Sequence, residues 1–174
     1  GQLMAPAEQT ADAFAGLKRL IAKSGAPVVR VALTHAMGIL AEQFVMGRSI
    51  DEALTRSGDE TLAKYRMSFD MLGEAATTRA DAERYLESYL AAIAAIGTAV
   101  APGQSVFESP GISVKLSALH PRYEYAQRER AAPELSASLL GLASAAKAVG
   151  ITLTVDAEES DRLELSLDIF ERVL

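Results

Sequence analysis

The amino-acid sequence predicts an α/β fold: a helical arm over residues 1–65, then parallel strand–helix units over residues 66–174. Three observations predict it. The first 65 residues carry apolar side chains at three- and four-residue spacing and no strand signal. From Met67 onward, short apolar or β-branched runs alternate with helical stripes, in the order strand, helix, strand, helix, strand, helix. The strands recur at intervals of about forty residues, the spacing of barrel units with decorated loops. Such alternation gives parallel strands joined by right-handed crossovers.

The elements follow in order. Residues 1–10 read as a loose leader. From Asp12, the side chains of Phe14, Leu17, Leu20 and Ile21 share one helical face, and Gly25 and Pro27 end that helix. A second helical run, Val28 to Met46, sets Val31, Leu33, Met37, Leu40, Phe44 and Val45 around a wide apolar face, and Gly47 closes it. Ser49 followed three residues later by Glu52 has capping-box spacing and starts a short helix to about Arg56. Another short helix is expected from Asp59 to about Lys64.

Met67 to Leu72 reads as a buried strand, stopped by Gly73. Thr78 and Asp81 are a second capping signal. They precede a stripe of Leu86, Leu90, Ile93 and Ile96, flanked by Tyr85 and Tyr89 and ended by Gly97. A loop over residues 101–110 leads to a β-branched strand, Gly111 to Leu116. Pro133 suits the first turn of a helix whose positions Leu135, Leu139, Leu142, Ala146 and Val149 repeat until Gly150. Ile151 to Val155 is the clearest strand, and Asp156 terminates it. Ser160 can cap a last helix with Leu163, Leu167, Phe170 and Val173 or Leu174 on its apolar positions.

Composition narrows the function. A hydrophobic share of 49% against 23% charged residues describes a folded chain rather than a disordered one. Seventeen Lys and Arg against 23 Asp and Glu leave a net charge of -6, and the basic residues are scattered, so no nucleic-acid footprint is visible. The absence of cysteine excludes disulfides, thiol nucleophiles and thiolate metal sites, and agrees with a reducing, cytoplasmic setting. His35 and His120 lie too far apart to suggest a zinc site, so no metal is expected. Neither a Gly-rich phosphate loop nor a GxSxG elbow occurs. The chain starts at Gly1 without a signal-peptide pattern and reads as a piece of a longer protein.

In parallel α/β folds, ligands sit beyond the C-terminal ends of the strands. That rule selects Asp70 and Glu74 after the first strand, Lys115 at the end of the second, and Asp156, Glu158 and Glu159 after the third. Ser113 and Lys115 share one side of their strand, opposite Ile112, Val114 and Leu116. A buried ammonium needs a partner. One reading is an ion pair of Lys115 with Asp156 that holds the mouth of the sheet; the other is a cation for a substrate carboxylate or a cofactor. Spacing alone favours neither. Asp156, Glu158 and Glu159 also suit the start of a helix, and Glu74 suits a first helical turn. His120, before Pro121, reads as a turn residue rather than a base.

Three segments carry a more specific signal. They are Tyr65 to Ala76 (YRMSFDMLGEAA), Gly111 to Tyr123 (GISVKLSALHPRY) and Asp156 to Glu164 (DAEESDRLE). In this order they closely resemble the proline dehydrogenase domain of the bacterial flavoenzymes called proline utilization A. Glu42, Gln43, Phe44, Val45 and Gly47 resemble the region before that barrel. The resemblance covers roughly residue 15 to the end. It implies the first three units of a (βα)8 barrel, incomplete here, that binds FAD and oxidises L-proline to 1-pyrroline-5-carboxylate, with electrons passed to a membrane quinone.

It also implies roles. Lys115 would bind the proline carboxylate, and Asp156 and Ala157 would lie beside the flavin. Asp70, Glu74 and Glu158 would belong to the charge network of the mouth, Glu74 pairing with an Arg that gates it. The further cations and the flavin-phosphate contacts come from later barrel units, in the remainder of the same polypeptide. An NAD-dependent aldehyde dehydrogenase half, peripheral contact with the inner membrane and a homo-oligomer are compatible with the resemblance. The competing expectation is a non-catalytic scaffold or association segment of a larger protein.

Overall fold

The computed structural model describes residues 30, 31, 33–38 and 44–174. It separates into two units, residues 1–46 and 47–174. In the first, residues 30, 31, 33–38 and 44 are helical, within the expected run. Val31, Leu33, Met37 and Phe44 are all exposed, so the wide apolar face expected there is open at those positions. The helix expected from Asp12 lies outside the described residues.

The second unit starts with helix α1, Ile50–Ser57. The Ser49 hydroxyl accepts the Glu52 N–H at 3.3 Å. The Glu52 carboxylate in turn accepts the Arg48 N–H at 2.8 Å, one residue earlier than a regular capping box. The expected helix from Asp59 to Lys64 is instead a series of turns. It contains a single four-residue bond, from the Ala63 N–H to the Asp59 carbonyl, and one such bond cannot propagate a helix.

Three parallel strands follow in sequential order: β1 (Ser68–Asp70), β2 (Gly111–Val114) and β3 (Thr152–Val155). Phe69 pairs with Ile112, and Ile112 with Leu153. At the opposite end from the mouth, a Cβ on Gly111 would overlap the Thr152 hydroxyl and lie 3.0 Å from the Thr152 carbonyl, so a larger residue there would need Thr152 to shift.

All three strands are shorter than the sequence suggests. The chain leaves β1 at Met71 and turns through Gly73, whose φ of 136° admits only glycine readily, and Leu72 is 82% exposed rather than buried. β2 ends at Val114 because a short helix, α3 (Leu116–Leu119), begins immediately after Lys115.

Between β1 and β2 runs α2, Arg79–Gly97. It starts with a full capping box: Thr78 accepts the Asp81 N–H, and Asp81 accepts the Thr78 N–H. Its buried face is Ala82, Tyr89, Ala92, Ile93 and Ile96. Tyr89, expected at the flank, is therefore fully buried, while Leu90 is 40% exposed. Between β2 and β3, α4 spans Arg128–Ala148. It starts before the expected position and holds Pro133 inside it, where only the bond to the Glu129 carbonyl is forgone.

The last helix, α5, spans Leu163–Val173 and follows a 3-10 turn, Ser160–Arg162. Ser160 caps nothing. The buried face of α5 is Leu165 and Ile169, whereas Leu163, Leu167, Phe170 and Leu174, expected inside, are exposed. Two apolar rows wind around this helix, and tertiary contact with α4 selects one of them.

The core lies between sheet and helices. α2 packs on β2 and α4, and α4 on β3 and α5. Ile112, Val114, Leu116, Leu135, Leu139, Leu142, Leu165 and Ile169 are almost entirely buried, each worth about 1.5–3 kcal/mol of apolar transfer. No described helix is long and apolar enough to cross a membrane.

Candidate active site

The C-terminal edges of the strands bring together Asp70, Lys115 and Asp156. The Lys115 Nζ lies 2.8 and 2.9 Å from the two Asp70 carboxylate oxygens and 2.8 Å from Asp156 Oδ2. The parallel register produces this convergence. Asp70 ends β1 opposite Ser113, and Val114 pairs with Val155, so the next residues on each strand, Lys115 and Asp156, leave the sheet side by side. The ion pair of Lys115 with Asp156 is present, and Asp70 joins it as a second carboxylate.

The two carboxylates are held differently. Asp156 is tied on three sides: the Ser113 hydroxyl donates to its Oδ1, Lys115 to its Oδ2, and its backbone N–H donates to the Val114 carbonyl at 2.9 Å. Its side chain is 27% exposed. Asp70 is 47% exposed, and Lys115 is its sole side-chain partner among the described residues.

Burial penalises both charges, yet the pair stays ionised. For Lys115 burial lowers the pKa, but hydrogen bonds and attraction from Asp156 and then Asp70 outweigh it, and the pKa is raised. For Asp156 burial raises the pKa, but Lys115 and Ser113 outweigh it, and the pKa is lowered.

Beside this trio opens a cleft of about 360 Å³ lined by Glu74, Ala75, Lys115, Ser117, Ala157, Glu158, Glu159 and Arg162. Ser117 joins its walls. Its hydroxyl accepts the Ala75 N–H at 3.2 Å, its carbonyl accepts the Ala76 N–H at 2.9 Å, and its own N–H donates to Glu158 at 3.0 Å. Those bonds keep Ala75 at a φ of 55°, a left-handed conformation that costs about 1–3 kcal/mol outside glycine. Glu158 thereby supplies an acceptor to the first turn of α3, which carries no cap of its own.

Arg162 reaches Glu159 at 3.0 Å and Glu158 at 4.0 Å, and lies over the Tyr123 ring at 5.3 Å. Burial, with Glu158 nearby, pushes the Tyr123 hydroxyl up to about 12. Glu74 lines the cleft, exposed, without a hydrogen bond or ion pair to the trio, and Ala157 is an exposed, small wall.

Several residues of the site escape sequence reasoning. Ser113 carries a signal, since it lies two positions before Lys115 on the same side of the strand. Ser117 and Arg162 carry none beyond proximity in sequence. Tyr89 carries none at all: it is buried 26 positions away in α2, and its hydroxyl accepts the Lys115 N–H at 3.2 Å. That bond takes the Lys115 backbone out of the strand ladder.

His120 stands apart, as its turn reading implies. Its Nδ1 accepts the Arg122 N–H at 3.0 Å, and its Nε2 faces Glu134, which also binds Arg79.

A model of the proline dehydrogenase family matches residues 53–174, the whole of the sheet and its mouth. The chain belongs to the proline dehydrogenase family. The bifunctional protein PutA of Escherichia coli (strain K12) is 50% identical to it over 157 residues, covering 90% of this chain and 12% of that protein. PutA of Rhizobium meliloti is 49% identical over the same span and shares of length. The chain thus spans about 12% of the length of the curated relatives it matches.

Solved structures agree. Proline utilization A from Bradyrhizobium japonicum superimposes with a TM-score of 0.69 at 51% identity, over 90% of this chain and 16% of that one. The Bdellovibrio bacteriovorus protein, inactivated by N-propargylglycine, gives a TM-score of 0.72 over 84% of this chain and 16% of that one. At 22% identity it shows the fold alone. Mixed α/β architecture with a parallel sheet is therefore the proline dehydrogenase architecture.

Proposed function

We propose that this chain forms one side of the active site of an FAD-dependent proline dehydrogenase that oxidises L-proline to 1-pyrroline-5-carboxylate and passes the electrons to a quinone. The observation that carries this reading is the ammonium of Lys115, fixed at the mouth of the sheet between Asp70 and Asp156. Family membership supports the reaction class. The strands run in sequential order without a switch point, as one wall of a (βα)8 barrel does. We place the start of that barrel at residue 66, after a helical arm.

The residues present fit one flank of a flavin. Ala157 offers a small surface at the end of β3, against which a flat ring system can lie, and Asp156 is a fixed acceptor beside it. When bound, FAD supplies the hydride acceptor for the ring carbon next to the proline nitrogen. Lys115 holds the substrate carboxylate by a charge-assisted hydrogen bond in a half-dry cleft. Asp156 keeps that ammonium in place and charged. Glu158 and Ser117 fix the loops on either side, and Glu74 stands at the entrance. The phosphate contacts, the further cations and an NAD-dependent aldehyde dehydrogenase half belong to the remainder of the polypeptide, and the enzyme works in the cytoplasm, peripheral to the inner membrane. This segment alone does not turn over proline.

The test uses the full-length flavoprotein that carries this chain, with L-proline and a dye acceptor. Lys115→Met and Asp156→Ala are each expected to lower kcat/KM by about 100-fold or more with flavin content unchanged. Near-normal turnover in both variants overturns the reading and leaves a scaffold role.

A further inference from the structure

An ammonium has three N–H bonds. Those of Lys115 face three carboxylate oxygens, two from Asp70 and one from Asp156. A substrate carboxylate can therefore reach Lys115 only by displacing one of them. The structure makes the two partners unequal. Asp156 is braced by the Ser113 hydroxyl and by its own backbone bond to Val114, and is the more buried. Asp70 is nearly half exposed, has no other side-chain partner among the described residues, and precedes the turn through Gly73.

We infer that Asp70 is a built-in competitor for the substrate carboxylate: it occupies Lys115 in the free protein and yields its place on binding, while Asp156 stays. This deepens the proposed function and rests on it, since it assumes that the ligand of Lys115 is a carboxylate. Asp70 satisfies the two N–H bonds of the ammonium that Asp156 does not, and unpaired donors on a buried charge would be costly. It also sets a threshold, because a ligand must beat a bidentate intramolecular partner to bind. Weak or badly placed carboxylates are thereby rejected, because they cannot repay the broken Asp70–Lys115 ion pair.

The test separates this inference from the reading beneath it. The probe is cyclopentanecarboxylate, a five-membered-ring acid with no amine to oxidise, titrated calorimetrically into the full-length holoenzyme. Asp70→Asn is expected to tighten its binding about tenfold, because a neutral amide competes poorly for an ammonium. Asp161→Asn removes one charge from the exposed turn beside the mouth without freeing Lys115, and is expected to change binding by less than about twofold.

Equal tightening in both variants makes the effect a general field and overturns the inference. So does unchanged or weaker binding in Asp70→Asn. A crystal structure of the wild-type complex gives a readout independent of that variant's folding. Lys115 to Asp70 is expected to open beyond about 4 Å, the limit of an ion pair, while Lys115 to Asp156 stays closed. Retention of both ion pairs, with the ligand carboxylate elsewhere, overturns the inference. Failure of the wild-type holoenzyme to oxidise proline overturns the functional reading instead.

Discussion

Lys115 and Asp156 each keep a charge against the penalty of burial, so their pair makes stability depend on pH. The pKa of Asp156 is lowered in the fold. Its contribution is therefore complete above the unfolded carboxylate value and is lost as pH falls through the lower, folded value. The pKa of Lys115 is raised, so its contribution is complete below the unfolded lysine value and lost only as pH rises through the higher, folded one. The stability difference between wild type and Asp156→Asn, from urea unfolding, is expected to be flat from about pH 5 to pH 8 and to shrink below about pH 4. A difference that persists unchanged at about pH 2 would show that the carboxylate charge plays no part. At this scale the sequence shows the charged residues that meet at the mouth well. Asp70, Lys115 and Asp156 are visible because each is a charge at the end of a strand. Tyr89 is not, because a tyrosine on a helix reads the same whether its hydroxyl is free or bonded to the backbone of Lys115.

At the scale of elements, the sequence predicts a boundary well where its chemistry is local. Thr78 and Asp81 form a reciprocal cap that depends on four consecutive residues alone. Asp81 accepts from Thr77, Thr78 and Arg84 together, and these bonds hold its carboxyl well below the usual carboxylate range. Thr78→Ala is expected to destabilise the fold by about 1 kcal/mol, and Thr78→Ser by much less, as measured by urea unfolding. An equal loss in both would show that the Thr methyl, not the hydroxyl, matters. Strand ends depend on more distant groups. β2 stops where a tyrosine hydroxyl from α2 takes the Lys115 N–H, and the loop after β1 is held by Ser117 through Ala75 and Ala76. The face of α5 is likewise a tertiary choice, because its sequence offers two apolar rows and α4 covers only Leu165 and Ile169.

At the scale of the whole molecule, the uncovered row has a consequence. Leu163, Leu167 and Phe170 stand 52%, 57% and 45% exposed along α5. In the eight-unit barrel proposed above, the next unit packs on this side. In the full-length protein Phe170→Asp is then expected to cost about 2 kcal/mol or more, as a charge placed in an apolar contact does. Glu171→Gln on the same helix should stay within about 0.5 kcal/mol. A small effect at Phe170 in urea unfolding would count against a neighbour there, and with it against the barrel.

By itself the sequence determined the alternation of strands and helices, their parallel sense, the absence of thiol chemistry and the charges that end each strand. All of these follow from local periodicity and composition. Tertiary structure decided the rest. It chose which apolar row of α5 is buried, shortened every strand, and added Asp70 to Lys115 as a second carboxylate in a pairing that spacing could not choose. It also recruited Ser113, Ser117 and Tyr89 to the mouth. The physical reason is range. Helix caps and hydrophobic periods act over three or four residues, whereas the hydrogen bonds and ion pairs that build this mouth join groups 26 to 45 positions apart and exist only once the sheet has set its register.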